Sequence, residues 1–292
     1  MNAGRQHRVW GVVLAGLVAG ALLTGSPAGS RAQSSSTRPN ILLITLDTFR
    51  ADRIGAYGYK LASTPNLDRL ARQGVLFTDA TTQSPLTAPA HTALLTGMYP
   101  TRLGVKTNAS AALPESALTL AESLQAAGYR TGAFVGSFIL DRQYGFGQGF
   151  QQFDAFFDAY RPEHKEQVQR VAGDVIQPAI AWLKGIPTGS PFFAWVHFYD
   201  AHLPYEAPPP YGAKFAARPY DGEVTYVDAA VGSLLAALAS SGALDRTLVV
   251  AVGDHGEALG EHGEDDHGIF LYEGVLRIPW IVRLPGRERA GS

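Results

Sequence analysis

Asn40-Ile41-Leu42-Leu43-Ile44-Thr45-Leu46-Asp47 is a short, almost continuous apolar run that ends on a carboxylate. Runs of this kind are typical of parallel strands covered on both faces, because such strands have no side that meets water. We therefore predict a buried central strand over Asn40–Leu46, with Asp47 just beyond its carboxyl end.

Similar apolar runs recur along the chain, separated by segments with helical periodicity. Further strands are predicted at Val75–Phe77, Thr131–Val135, Phe192–Phe198, Thr247–Val252 and Ile278–Leu284. Helices are predicted over Thr64–Gly74, Thr119–Ala127, Glu163–Lys184 and Glu223–Ser240, with a kink or break at Pro178. Strands that alternate with helices indicate an α/β fold, with a predominantly parallel central sheet and helices on both faces.

Polar side chains come directly after several of the predicted strands. They are Asp47, Ser137, Asp200, His202, Asp254 and His255. In a parallel sheet these positions share one edge, where ligands bind. Asp47, Asp254 and His255 suit a divalent metal ion; their mixed oxygen and imidazole atoms favour zinc, manganese or iron, with calcium as the other possibility. The alternative for Asp254–Glu257 is a helix-start turn in which Asp254 is only the cap.

A second stretch, Ser84–Gly97, has the pattern of a loop that runs into a short helix. Pro89 suits an early helical position, and Gly97 is a typical helix end. Thr87 is therefore expected at or just before the helix N-terminus, where free N–H groups favour an anion or an oxygen that loses its proton. A cation beside Thr87 would make that oxygen a nucleophile. The alternative is that Thr87 only caps the helix.

Two further histidines are candidates for the same site. His91 lies one turn into the predicted helix and could point at an anion beside Thr87, whereas the alternative is a packing role. His267 ends the polar segment Glu261–His267, and it could turn inward, as could His262. Glu264, Asp265 and Asp266 are expected in a solvated loop.

The composition is that of an ordinary globular protein. Of 292 residues, 46% are hydrophobic and 17% are charged, and the net charge is −2. Neither this charge nor any basic stretch indicates a nucleic-acid partner. The sequence has no cysteine, which excludes disulfides, a thiolate nucleophile and cysteine ligands to zinc.

Residues 1–33 have the pattern of a signal peptide. Arg5 and Arg8 form a positive region, Val9–Leu23 is apolar, and Ser30-Arg31-Ala32 resembles a cleavage site. We expect an exported protein, periplasmic or extracellular, with no stable membrane span after cleavage. An uncleaved anchor is the alternative, although the apolar run is short for a span.

Taken together, these residues resemble the sulfatase family within the alkaline phosphatase superfamily. The resemblance is carried by Pro39–Asp52, Thr64–Asp68, Leu94–Pro100, His197–Tyr205, Asp254–Glu257 and Arg277–Pro279. It implies a polar linker over 34–38 and one sulfatase-like catalytic domain over 39–292. It also implies metal-dependent hydrolysis of sulfuric or phosphoric esters of small molecules or glycans.

The nucleophile motif departs from the family pattern. The family's Cys/Ser-x-Pro-x-Arg motif, whose first residue becomes formylglycine, stands here as Thr87-Ala88-Pro89-Ala90-His91. Threonine cannot become formylglycine, and Val135-Gly136-Ser137 stands where the family has a Lys-x-His motif. Other members of the superfamily use an unmodified threonine on phosphate diesters. We therefore expect phosphate esters to be preferred over sulfate esters.

The phosphonate monoester hydrolase branch of the family is more similar to this chain. Its pattern implies a metal held by Asp47, Thr87, Asp254 and His255, with Thr48 nearby. It implies substrate contacts at His91, Asn108, Ser137, His202 and His267. His267 stands where that branch often has lysine, and either His202 or His267 is expected to protonate the leaving oxygen.

Two rival functions remain open at this point. One is a phosphotransferase that passes the group to an acceptor other than water, and the other is a non-catalytic homologue that binds metal or an anionic glycan. Sulfatase-like proteins usually continue beyond the strand at Ile278–Leu284 into a smaller C-terminal subdomain. We expect this chain to be a fragment that lacks it.

Overall fold

The computed structural model describes residues 38–155 and 169–292. The predicted signal peptide over 1–33 and all but Arg38 of the predicted linker lie outside the described residues. So does the beginning of the helix predicted over Glu163–Lys184.

The described residues form an α/β fold around a seven-stranded sheet. The strands are β1 (Asn40–Leu46), β2 (Val75–Phe77), β3 (Arg130–Val135), β4 (Gln152–Asp154), β5 (Phe192–Phe198), β6 (Thr247–Gly253) and β7 (Trp280–Arg283). Their order across the sheet is β2-β7-β6-β1-β5-β3-β4. The five strands from β6 to β4 run parallel, whereas β7 is antiparallel to both β6 and β2. The predicted, mostly parallel sheet is confirmed.

β1 lies in the middle of the sheet, and all seven of its residues are buried. Leu42 and Ile44 pack into an apolar core on one face, and Ile41 and Leu43 pack into a second core on the other face. This two-sided burial explains why the run shows no polar alternation.

The register of the three central strands aligns their carboxyl ends. Leu46 of β1 pairs with Phe198 of β5 and with Gly253 of β6. The next residues extend the ladder, because Asp47 donates its N–H to Phe198 O at 3.0 Å and Asp254 donates its N–H to Leu46 O at 3.2 Å. The residues that follow these strands therefore meet at one edge of the sheet.

The sheet edges differ most from the prediction. β4, a three-residue strand that pairs with β3 at the edge of the sheet, was not predicted. The strand predicted over Ile278–Leu284 is shorter at both ends, and Ile278 donates its N–H to Ala80 O before β7 begins.

Helices cover both faces of the sheet, as predicted. They are α1 (Pro65–Arg72), α2 (Thr87–Thr96), α3 (Leu120–Ala126), α4 (Ala172–Lys184), α5 (Tyr211–Lys214), α6 (Pro219–Ser240) and α7 (Glu273–Leu276). α1, α4 and α6 contribute to one core, whereas α2 and α3 contribute to the other.

A kink or break was predicted at Pro178. The helix α4 is not broken there and continues to Lys184. A proline in a helix leaves the carbonyl four residues earlier without its N–H partner. Here that carbonyl belongs to Asp174, and it accepts a hydrogen bond from Arg170 Nη2 at 3.0 Å. A side chain thus replaces the missing backbone donor, which lets the helix continue.

Judged by length and composition alone, α6 is long and apolar enough to span a membrane. In this fold, however, 61% of its most apolar window is buried inside the protein, against the sheet and the neighbouring helices. The burial is that of a core helix. α6 starts at Pro219, one turn earlier than predicted, and this extra turn lies beside the loops that follow β1 and β5.

Candidate active site

The carboxyl ends of β1 and β6 bring two carboxylates and one imidazole into a single buried space. Asp47 Oδ1 and Asp254 Oδ2 each lie 3.5 Å from His255 Nε2. Thr87 Oγ1 lies 3.4 Å from the same nitrogen. The structure thus brings together the four residues for which metal ligation was expected, and none of them is more than 2% exposed.

His255 is oriented by a backbone carbonyl. Its Nδ1 lies 3.0 Å from Gly256 O, so Nδ1 carries the proton and donates to that oxygen. Burial and the neighbouring His267 lower the pKa of His255 to about 3, which keeps the ring neutral. The Nε2 lone pair therefore faces Asp47, Asp254 and Thr87, as a metal-binding histidine requires.

The two oxygens of Asp254 have different roles. Oδ1 accepts the N–H groups of His255 at 2.7 Å and of Thr48 at 3.3 Å, and so organises the turn after β6. Oδ2 has no hydrogen-bond partner among the described residues. Asp254 therefore holds the backbone with one oxygen and leaves the other free. No helix starts at this turn.

This donor set fits a divalent metal ion. Both oxygens of Asp47 also lack a hydrogen-bond donor within the described ranges. Burial alone would raise the pKa of Asp47, but His197 and His255 beside it hold that pKa below its ordinary value. Burial and the charge of Asp47 raise the pKa of Asp254. Unpartnered buried carboxylates are costly unless a cation compensates them.

Thr87 is the first residue of α2 and does not act as its cap. The cap position is Leu86, and no side chain makes a capping hydrogen bond there. The Thr87 hydroxyl instead lies 3.4 Å from His255 Nε2, at the start of the helix. The capping interpretation of Thr87 is therefore wrong, and its oxygen lies at the positive end of a helix dipole.

His91 is fully buried under Thr87. Its Nδ1 lies 2.8 Å from Thr87 O and its Nε2 lies 3.0 Å from Thr45 Oγ1, so both ring nitrogens are engaged. Burial and His197 lower the pKa of His91 to about 3, which leaves it without the charge of the arginine found in the family. The structure therefore does not support the expected contact between His91 and a substrate. The ring instead contacts the backbone of Thr87 and the side chain of Thr45 inside the protein.

His197 is a site residue that the sequence analysis did not identify. It belongs to β5, is fully buried, and its Nε2 lies 3.4 Å from Asp47 Oδ2. Neither ring nitrogen has a hydrogen-bond partner among the described residues. A histidine one residue before the end of an otherwise apolar strand was the available signal.

His202 and His267 lie next to each other above the carboxylates. Their ring centroids are 5.1 Å apart, and His202 stacks on Tyr199 at 4.5 Å. His202 Nδ1 lies 2.8 Å from Leu203 O, which leaves its Nε2 for another partner. His267 also lies 4.4 Å from the ring of His255. The structure therefore brings both predicted catalytic histidines to this site.

Two carboxylates keep His267 charged. Burial lowers the pKa of His267, but hydrogen bonds to Asp266 at 2.8 Å and to Glu257 at 3.2 Å outweigh it and raise that pKa to about 10. His267 is thus a buried cation beside His202 and His255. Glu257 is fully buried and was missed as a partner, because the sequence placed it only in a turn.

The remaining predicted residues take different positions. Asn108 Oδ1 accepts the Ala88 N–H at 2.9 Å, which places its amide beside Thr87. Ser137 is buried at the end of β3, and no contact joins its side chain to the other site residues in the described part of the chain. The Thr48 hydroxyl lies 2.6 Å from Ala201 O and 2.8 Å from Asp47 O, so its proton is donated to backbone carbonyl oxygens.

Asp200 follows β5 but does not join this cluster. It is 7% exposed, and its Oδ2 has no hydrogen-bond partner among the described residues. Burial raises the pKa of Asp200 to about 7, and nearby Asp174 adds to the effect. Burial and Asp200 likewise raise the pKa of Glu223 on α6 to about 8. Hydrogen bonds from the N–H groups of Ala201 and Glu206 act in the opposite direction and lower that pKa.

A family model described as Sulfatase matches residues 39–292. The ulvan-active sulfatase of Formosa agariphila is 29% identical over 299 residues, which cover 88% of this chain and 58% of that protein. The human N-acetylgalactosamine-6-sulfatase is 30% identical over 315 residues, with 90% of this chain and 60% of that protein covered. The chain thus spans about three fifths of the length of these curated relatives.

Solved structures agree on the fold. The crystal structure of the phosphonate monoester hydrolase of Agrobacterium radiobacter superposes with a TM-score of 0.74. It is 24% identical in sequence, and the match covers 87% of this chain and 70% of that one. At this level of identity the match concerns the architecture alone.

Proposed function

This chain belongs to the sulfatase family, and from that premise we propose that it is a metal-dependent hydrolase of anionic esters that favours phosphate over sulfate. The observation that supports this most strongly is the convergence of unpartnered carboxylate oxygens and the His255 lone pair beside the Thr87 hydroxyl. We assign Asp47, Thr87, Asp254 and His255 as the residues that hold the metal, with zinc or manganese favoured. When bound, such an ion lowers the pKa of a coordinated hydroxyl and neutralises the charge that develops on the ester.

In this proposal Thr87 Oγ1 is the nucleophile. It gives its proton to solvent and forms a bond to the phosphorus atom, while the bond from phosphorus to the leaving oxygen breaks. The positive end of the α2 dipole stabilises the negative charge on the other phosphoryl oxygens. Asn108, which is fixed by Ala88, keeps its amide nitrogen for one of these oxygens.

His202 supplies the proton to the leaving oxygen in this scheme. Its Nδ1–H is used by Leu203 O, so the proton leaves from Nε2. His267 takes the other role, because a histidine with a pKa of about 10 holds its proton at neutral pH and acts as a fixed cation for the anionic group.

The preference for phosphate follows from the chemistry of threonine. A formylglycine hydrate has two hydroxyl groups on one carbon, and the second one lets it expel sulfate. Thr87 has only one hydroxyl, so a sulfated Thr87 could not release sulfate in this way. A phosphorylated Thr87 is released by water that attacks phosphorus, and the Thr87 oxygen leaves with its bonding electrons.

For the natural substrate we propose an ester of a carbohydrate. The names of two relatives point to glycans, since one is an ulvan-active sulfatase and the other an N-acetylgalactosamine-6-sulfatase. We also propose export to the periplasm or the extracellular space, which N-terminal sequencing of the mature protein would test at Ala32.

The test of the activity is turnover of matched aryl phosphate and aryl sulfate by zinc- or manganese-loaded protein, with and without a chelator. We expect a higher kcat/KM for the phosphate ester and loss of both activities with the chelator. Faster turnover of the sulfate would contradict the proposed preference. No turnover of any ester by metal-loaded protein would favour a non-catalytic, metal-binding homologue.

A further inference from the structure

The residue before His202 has an unusual backbone conformation. Ala201 has φ +83°, in the left-handed region that favours glycine, and it is fully buried. A residue with a side chain is strained in this region, so the surrounding structure must hold it there. The orientation of this peptide decides where the next side chain, His202, can point.

Two side chains hold Ala201 from opposite ends. Its N–H donates to Glu223 Oε2 at 2.7 Å, and its carbonyl oxygen accepts the Thr48 hydroxyl at 2.6 Å. The second oxygen of Glu223 accepts the Glu206 N–H at 2.8 Å. One carboxyl on α6 therefore joins both ends of the loop 201–206, which contains His202.

Glu223 has no part in the metal cluster or in the reaction described above. It is 5% exposed and lies in the first turns of α6. Tyr220, one turn earlier, donates its hydroxyl to Thr48 O at 2.7 Å and accepts the Arg50 N–H at 3.0 Å. The start of α6 thus holds the loop after β1 as well as the loop after β5.

We propose that Glu223 is a positioning residue for His202, which it acts on through the amides of Ala201 and Glu206. The proposal rests on the proposed function, in which His202 protonates the leaving oxygen. A carboxyl group suits the task because its two oxygens can accept two converging N–H groups. Glutamine presents an NH2 group to one of them and loses that hydrogen bond.

The catalytic test compares leaving groups. A misplaced general acid matters for an ester with a poor leaving group and matters little for an activated ester. We expect Glu223→Gln to reduce kcat/KM on phenyl phosphate by about 100-fold and kcat/KM on dinitrophenyl phosphate by less than about fivefold. Glu115→Gln makes the same chemical change at an exposed site and should change neither rate. Equal losses on both esters, or no loss, would overturn the proposal.

A second readout does not depend on activity. Amide hydrogen exchange at Ala201 and Glu206, measured by NMR relative to the amides of β1, should be at least about tenfold faster in Glu223→Gln than in the wild type. Glu223→Asp keeps the carboxyl group and is one methylene shorter, so it should expose at least one of the two amides. Exchange as slow as in the wild type at both amides in both variants would refute the proposal. A wild type that hydrolyses neither ester would instead count against the proposed function, and the exchange data would still decide the role of Glu223.

Discussion

At the scale of single residues, one oxygen of the Asp254 carboxyl has a structural role, and we propose a metal-binding role for the other. Its Oδ1 accepts two backbone N–H groups, whereas its Oδ2 has no partner among the described residues. An asparagine can keep the first role, because its carbonyl oxygen also accepts hydrogen bonds, but it puts an NH2 group where the oxygen that we propose binds metal stands.

We therefore expect Asp254→Asn to fold and to bind zinc or manganese about 100-fold more weakly or worse, since loss of a ligand exceeds loss of an outer partner. Titration calorimetry and metal analysis after dialysis would measure this. Asp265→Asn, at an exposed position of the neighbouring loop, is the matched control and should bind metal like the wild type. Full metal occupancy in Asp254→Asn would remove this residue from the ligand set.

His91 gives a second prediction at this scale, about stability. Its two ring nitrogens are engaged with Thr87 O and Thr45 Oγ1, and its ring packs beside Trp195. His91→Ala should lower the free energy of unfolding of the metal-free protein by about 3 kcal/mol, from lost packing and lost hydrogen bonds. Urea unfolding would measure it. His262→Ala, at an exposed histidine, should cost less than about 1 kcal/mol. A similar cost for both variants would show that His91 does not support the site.

Site residues that directly follow a strand could be identified from the sequence. A site residue inside a strand could not. Asp47, Asp254 and His255 were found because polar residues after buried strands share one sheet edge. His197 was missed because its position inside β5 looks like packing until Asp47 is seen beside it. The support of His267 by Glu257 depends on a loop conformation that no spacing rule encodes.

At the scale of elements, β5, α4 and α6 enclose a carboxyl group that the reaction does not use. Asp200 follows β5, and Asp174 of α4 and Glu223 of α6 are the acidic groups that face it. Burial raises the pKa of Asp200 from 3.8 to about 7. Because the folded-state pKa is raised, its contribution to stability is complete below 3.8 and is lost as the pH rises through about 7.

Asp200→Asn should therefore lose part of the pH dependence of stability. Relative to the wild type, the free energy of unfolding of the variant should rise by about 2 kcal/mol between pH 5 and pH 8, because asparagine cannot ionise. Urea unfolding of the metal-free proteins at the two pH values would measure this difference. A difference between wild type and variant that stays constant with pH would show that Asp200 is already ionised in the folded protein at pH 5.

Elements with long, fully buried runs could be predicted closely, and short or edge elements could not. β1 and β5 have the predicted bounds, since their apolar runs are covered on both faces. β4 and α7, with three and four residues, were not predicted. Helix α4 continues across Pro178 because of Arg170, a side chain outside the helix that periodicity does not take into account.

At the scale of the whole molecule, the mostly parallel sheet collects its chemistry at one edge, and α2 brings Thr87 to that edge from the helical layer. The residues that bind the edge together come from four separate parts of the chain, after β1, in α2, after β5 and after β6. The architecture is that of the sulfatase family. The chemistry that we propose differs from that of sulfatases with formylglycine because Thr87 stands in the nucleophile position.

The most direct test of the central claim is kcat/KM on an aryl phosphate for three metal-loaded proteins: the wild type, Thr87→Ala and Thr96→Ala. Thr96 lies on the same helix, and its hydroxyl donates to Thr92 O, so its loss should leave the rate nearly unchanged. We expect Thr87→Ala to remain folded and to lose at least about 1,000-fold in kcat/KM, as for removal of a nucleophile. A Thr87→Ala protein that turns over the ester at the wild-type rate would contradict the account.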